Sequence, residues 1–151
     1  MSGGLLLADA AATEAIGARL ALLLAPGDVV ALSGDLGAGK TSLARGVLAA
    51  LGLAGEAPSP TFAIVQPYAP PETMLPVAHV DLYRLEDPGD AGELALDDYR
   101  ADGALLVEWP ERLGARLWPD ALRLRLDPDP AGGRRLTWTV PAAWEARWPP
   151  R

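Results

Sequence analysis

Hydrophobic spacing changes character along the chain. In the first third it is helical: Asp9 is placed to cap a helix running to about Ala25, with Ile16, Leu20, Leu23 and Leu24 on one face. Pro26-Gly27-Asp28 predicts a turn. Val29-Val30-Ala31-Leu32 is a short apolar run between turn residues, the pattern of a strand buried on both faces. A glycine-rich stretch from Gly34 to Gly39 leads into a second helix over Lys40–Leu51, stopped by Gly52. The middle third is less regular. Prolines bar a helix at Ala57-Pro58-Ser59-Pro60. Thr61–Val65 predicts a strand whose end Pro67 confines to an edge, and Val77–Tyr83 predicts another. Ala91–Asp98 predicts a short helix. Ala104–Val107 is a second fully apolar strand, ending on Glu108-Trp109-Pro110. In the last third the period is two: Leu122, Leu124 and Leu126 alternate with Arg123 and Arg125. Leu136, Trp138 and Val140 alternate with Arg135, Thr137 and Thr139, which predicts an antiparallel hairpin attached to a more parallel α/β core.

Composition narrows the class. With 151 residues, 50 % hydrophobic and 22 % charged, the chain suffices for one soluble domain with one core. Residues 142–151, rich in proline and tryptophan, are left as a candidate flexible tail. Acidic residues number 20 against 13 lysines and arginines, a net charge of −7. That balance argues against holding nucleic acid through phosphate contacts alone. Having no cysteine excludes disulfides, thiolate metal sites and cysteine nucleophiles. The longest apolar runs, such as Leu20–Ala25, are too short to span a bilayer. Met1-Ser2-Gly3-Gly4 offers no cationic region ahead of Leu5–Ala8, so no secretory signal is expected, and the cytoplasm is the expected location. Among the cations there is a single lysine, Lys40, and the chain has a single histidine, His79.

The lone lysine sits in a motif. Gly34-Asp35-Leu36-Gly37-Ala38-Gly39-Lys40-Thr41 matches G-x4-G-K-[ST], the Walker A pattern, between an apolar strand and an amphipathic helix. Glycines let the backbone turn its N–H groups inward and approach phosphate oxygens, and the helix N-terminus adds a positive dipole end. Lys40 supplies a point charge to the β- and γ-phosphates, and the Thr41 hydroxyl is suited to a magnesium ion. Ser42 follows at the start of the same helix. The plain alternative is a glycine-rich turn joining strand to helix.

Hydrolysis needs an acid beside such a loop and a device near the γ-phosphate. Two predicted strands end in acids, Val77-Ala78-His79-Val80-Asp81 and Ala104-Leu105-Leu106-Val107-Glu108. Strand C-termini are where open α/β sheets bind ligands, although either acid alone is also an ordinary strand end or helix cap. Ser59-Pro60-Thr61-Phe62 reads as a nucleotide-sensitive switch or as an extended loop without a ligand. His79 reads more simply as structural than as catalytic, and Trp109 as core or interface. Arg84 is the nearest candidate for a phosphate stabiliser. Arg123, Arg125, Arg134 and Arg135 read as a solvated hairpin face, with a grip on a partner or a nucleotide edge as the alternative.

The ordered set of segments, 34–41, Ser59-Pro60-Thr61-Phe62, His79-Val80-Asp81-Leu82-Tyr83-Arg84 and Glu108-Trp109-Pro110-Glu111, resembles the bacterial TsaE (YjeE) family over about residues 5–140. That family is the ATPase component of the machinery making threonylcarbamoyladenosine in transfer RNA. The resemblance implies an α/β P-loop NTPase three-layer sandwich, with a mainly parallel central sheet and flanking antiparallel strands. It implies a magnesium-dependent ATPase, weak alone and activated by the partners TsaB and TsaD, which meets tRNA only through that complex. By position, it implies that residues Gly34 to Ser42 bind nucleotide, Lys40 acts on the phosphates, Thr41 and Glu108 hold magnesium, and Asp81 serves hydrolysis. Ser59–Phe62 is then the switch, and Thr13 lies near the base.

Two rival functions remain at this level. A small-molecule kinase on the same loop needs a lid with clustered arginines and an acceptor site, and the chain after the second helix is short for both. A nucleotide-dependent binding module needs the loop but no hydrolysis.

Overall fold

The computed structural model describes residues 2–55, 57 and 64–150. Among them runs one seven-stranded sheet in the order β1-β7-β6-β2-β5-β4-β3. Its strands are β1 (Ser2–Leu7), β2 (Val29–Ser33), β3 (Val65–Tyr68), β4 (Val77–Asp81), β5 (Ala104–Glu108), β6 (Leu122–Pro128) and β7 (Arg134–Thr139). The central strands β6, β2, β5 and β4 are parallel, while β1–β7, β7–β6 and β3–β4 pair antiparallel. The mainly parallel α/β sandwich with antiparallel flanks is therefore present.

The alternation in the central strands sorts their side chains onto two faces. Val30 and Leu32 of β2 and Ala104 and Leu106 of β5 join α1 (Ala10–Ala21) and α2 (Lys40–Ala50). Val29, Ala31, Leu105 and Val107 point the other way, toward α3 (Leu96–Asp102) and the 3₁₀ turns Pro88–Leu94 and Pro110–Arg116. Burial on both faces explains why β2 and β5 read as unbroken apolar runs. On the first face α1 lies very close to α2. A Cβ on Gly46 would stand 2.2 Å from the Glu14 carbonyl, and one on Gly17 would stand 2.3 Å from that of Leu43. Only glycine permits that approach.

Several expectations change. Helix α1 is capped as expected, the Asp9 carboxylate accepting the Ala12 N–H at 2.8 Å, but it ends at Ala21 rather than Ala25. Beyond it, the Leu23 carbonyl accepts Arg147 and the Ala25 N–H donates to Asp28, so these groups are committed outside the helix. Ser2–Leu7, unassigned from sequence, forms β1 against β7. Of the strand expected over Thr61–Val65, residues 61–63 lie outside the described residues; β3 is Val65–Tyr68, and Pro67 is tolerated inside it because β3 is an edge strand. The short helix expected at Ala91–Asp98 is split between the 3₁₀ turn and α3.

The hairpin is no appendage, since β6 pairs in parallel with β2. Nor does the chain after Val140 read as a loose tail. Trp144 and Trp148 are buried in the same cluster as α1, with Trp148 edge-on to Trp138 at 5.6 Å. Arg147 pairs with Asp28 at 2.6 Å. No helix among the described residues is long and apolar enough to cross a membrane.

Candidate functional site

The loop between β2 and α2 takes the backbone shape its glycines allow. Gly34, Gly37 and Gly39 have φ of +143°, +78° and +105°, values that L side chains rarely adopt. A Cβ on Gly34 would also meet the Leu126 carbonyl at 2.4 Å, so the loop is seated directly on β6. Gly39 precedes the first turn of α2, which leaves the N–H groups of that turn for a ligand. Thr13 of α1 is fully buried beneath, its methyl 3.8 Å from where a Gly39 Cβ would be.

Sheet register brings the acids to this loop. Asp81 and Glu108 are partners on the parallel strands β4 and β5, and Leu32, just before the loop, partners Glu108. Period two then puts His79, Asp81 and Glu108 on the α1–α2 face. The Thr41 hydroxyl lies 3.4 Å from Glu108 Oε1, and His79 Nε2 lies 2.6 Å from Glu108 Oε2. His79 is wholly buried, and its Nδ1 has no hydrogen-bond partner among the described residues. A carboxylate at that distance demands a donor, so the imidazole proton belongs on Nε2. A bare Nδ1 lone pair is the cheaper group to leave unpaired. Asp81 is buried too and accepts the Tyr83 N–H at 2.9 Å. Burial pushes its carboxyl above the usual range, and Glu108 pushes in the same direction.

Lys40 is 95 % enclosed, being 5 % exposed. Its ammonium donates to the carbonyls of Gly34 and Asp35, the latter at 3.1 Å, and lies 4.1 Å from the centre of the Trp109 ring. Burial lowers its pKa, opposed by Glu108, Glu111, Asp81 and Asp35. Together, loop residues 36–42 with Asp81, Glu108 and Trp109 bound a cavity of about 240 Å³. A larger groove of about 560 Å³ between α1 and α2 is lined mostly by alanine and glycine, with Glu14 and Arg45 its ionisable groups. Convergent donors, acids and a cation make the smaller cavity the candidate site.

The structure thus gathers Leu36 to Ser42, Asp81 and Glu108 around one space. It leaves Arg84 exposed and outside that lining. Ser59, Pro60, Thr61 and Phe62 lie outside the described residues. On either side of them, the Ala57 carbonyl accepts Arg45 at 2.9 Å, and the Ile64 carbonyl accepts the Asp81 N–H at 2.7 Å.

Two residues acquire places that sequence reasoning missed. Trp109, read as core or interface, faces Lys40, with a left-handed φ of +58° and Tyr83 at 4.9 Å ring to ring. Its position directly after the strand-end acid was the available signal. Arg134, read as part of a solvated face, bonds the Gly37 and Ala38 carbonyls of the loop, each at 3.1 Å. The available signal was its phase: Arg134 falls on the side of Leu136, Trp138 and Val140, whereas Arg123, Arg125 and Arg135 fall on the other side and are exposed.

A family model described as "Threonylcarbamoyl adenosine biosynthesis protein TsaE" matches residues 7–136. The chain belongs to the TsaE family. A TsaE from Streptomyces coelicolor, named as a tRNA threonylcarbamoyladenosine biosynthesis protein, is 47 % identical over 113 residues, 74 % of this chain and 76 % of its own. The Bacillus subtilis TsaE is 38 % identical over 129 residues, 85 % of this chain and 79 % of its own. A crystal structure of Bacillus subtilis YdiB superposes with a TM-score of 0.78 at 30 % identity, over 93 % of this chain and 86 % of that one. The residues matched by the family model, 7–136, include the loop, Asp81, Glu108 and Arg134.

The donor set beside the loop fits a hard cation. Among the described residues no group of three histidines or carboxylates is placed to cage a metal. The Thr41 hydroxyl and the Glu108 carboxylate are hard oxygen donors, and magnesium typically takes one or two such protein ligands together with phosphate oxygens and water.

Proposed function

We propose that this chain binds ATP at the 34–42 loop and hydrolyses it with magnesium, in support of threonylcarbamoyladenosine formation in tRNA. In that role it acts with TsaB and TsaD and meets tRNA only through them. The observation that carries this reading is the approach of Thr41 to Glu108, at 3.4 Å, beside Lys40 and Asp81.

Each residue has a part its chemistry suits. The loop N–H groups receive phosphate oxygens. Lys40, now on two backbone carbonyls, exchanges them for the β- and γ-phosphates. Thr41 and Glu108 would hold magnesium, which when bound neutralises charge developing on the phosphates. His79 fixes the Glu108 carboxylate from behind. Asp81, at the end of the neighbouring strand, orients the attacking water. Among the described residues lining the cavity, Lys40 is the sole cation. That supports slow hydrolysis by the chain alone and acceleration when partners complete the charge around the γ-phosphate.

The test is phosphate release from ATP and from GTP, with and without purified TsaB and TsaD. Partner-stimulated release from ATP, lost in Lys40→Ala, Asp81→Ala and Glu108→Ala, is expected. Normal turnover in both acid variants would sink the assignment. Transfer of phosphate to a metabolite without partners would indicate a kinase instead.

A further inference from the structure

The carbonyls of the phosphate-binding loop are met by two cations from opposite sides. Lys40 takes those of Gly34 and Asp35 from within the cavity. Arg134 takes two more: its Nε donates to the Ala38 carbonyl and its Nη2 to that of Gly37, both at 3.1 Å, while Nη1 reaches the Gly133 carbonyl at 3.2 Å. The Gly37 and Ala38 carbonyls turn away from the cavity toward the start of β7. Both cations bridge two carbonyls, but the planar guanidinium does so as a rigid fork, whereas the ammonium is a point charge on a flexible stem.

Arg134 is itself held in place. It begins β7, opposite Leu7 of β1 and Pro128 of β6. The preceding Gly133 has φ of +77°, and a Cβ there would stand 2.4 Å from the Leu7 carbonyl. The hairpin turn is closed by the Asp129 N–H donating to Gly133 and the Gly132 N–H donating to Asp129. The arginine therefore projects from a fixed turn more than ninety residues away in sequence from the carbonyls it meets.

We propose that Arg134 is a positioning residue of the nucleotide site, holding the loop in its phosphate-receiving shape from outside the cavity. This rests on the reading of the loop as an ATP site. Its importance grows when Lys40 leaves the Gly34 and Asp35 carbonyls for phosphate, because Arg134 keeps its own two.

Arg134→Met and Arg134→Lys test it, with Arg123→Gln as a control from the exposed end of β6. Hydrogen exchange of the loop amides is followed in nucleotide-free protein, ATP affinity by calorimetry, and KM and kcat by phosphate release. Arg134→Met is expected to speed loop exchange and to weaken ATP binding by about tenfold each, as loss of charge-assisted hydrogen bonds would. KM should rise while kcat changes less than about twofold, the signature of lost uniform binding. Arg134→Lys should recover only part of this, and Arg123→Gln should change nothing. Loop exchange and ATP affinity both unchanged in Arg134→Met would overturn the proposal. So would a gain in exchange spread equally over β2 and β5, since that marks general destabilisation. If the parent protein bound no ATP, the nucleotide reading would fall, and loop exchange would still decide whether Arg134 holds the loop.

Discussion

His79 Nε2 and Glu108 Oε2 stand 2.6 Å apart across adjacent parallel strands, with both side chains essentially removed from solvent. One carboxylate oxygen is thereby committed to the imidazole, and the other is the one that approaches Thr41. His79 thus determines which face Glu108 offers to the loop, as a supporting hydrogen bond orients a metal-side carboxylate.

Replacing His79 by alanine should lower magnesium-dependent ATP turnover by about 10–100-fold. Binding of ATP in the presence of a chelator should change little. Calorimetric titrations with and without magnesium, paired with phosphate release, separate the two. Equal loss of binding under both conditions would place His79 in general packing instead.

Lys40 is the one lysine of the chain, and its burial lowers its pKa from the ordinary 10.5. A lowered value leaves more free amine at a given pH. The side chain should therefore react with an amine-directed reagent such as trinitrobenzenesulfonate at a lower pH than an exposed lysine does, once the reagent enters the cavity. ATP should protect it. Peptide mass spectrometry separates Lys40 from the N-terminal amine, and labelling of Lys40 indifferent to ATP would contradict the site.

Burial raises the Asp81 pKa, so the folded chain holds that proton more tightly than the unfolded chain does. Stability is thus undiminished below the usual carboxylate range and is lost as pH rises through the raised folded value. Asp81→Asn keeps an acceptor for the Tyr83 N–H and removes the charge. It should raise the melting temperature at pH 7–8, with the gain vanishing toward pH 3. A gain that is independent of pH would refute this cause.

Trp144 is 1 % exposed, and the Arg147 guanidinium covers its ring at 3.9 Å. Trp144→Ala should cost about 3–5 kcal/mol, read as a lower urea midpoint with the slope unchanged. A change below about 1 kcal/mol would mean that residues after Val140 add little to the core.

Much of the site was legible because its chemistry is local. Gly34 to Thr41 lie within one turn, and the backbone freedom, the helix start and the lysine are all consecutive. Glu108 and Asp81 were legible as acids closing apolar runs. Trp109, Arg134 and the role of His79 were not, because each depends on a neighbour distant in sequence: Trp109 on Lys40, Arg134 on Gly37 and Ala38, and His79 on Glu108.

By itself, the sequence determined the periodic elements α1, α2 and the β6–β7 hairpin, the unbroken apolar strands β2 and β5, and the glycine-rich loop between β2 and α2. Side-chain spacing reports directly on local backbone geometry. The tertiary structure alone decided the strand order, and with it everything that spans strands. Ser2–Leu7 has two glycines and no alternation, yet becomes β1 because β7 offers it an edge. The same order threads β6 and β7 beside the loop, which makes Arg134 a neighbour of Gly37 while Arg123 faces solvent. Period two already separates the two arginines, with Arg134 on the side of Leu136 and Arg123 opposite Leu122 and Leu124, but only long-range packing decides which carbonyls Arg134 meets.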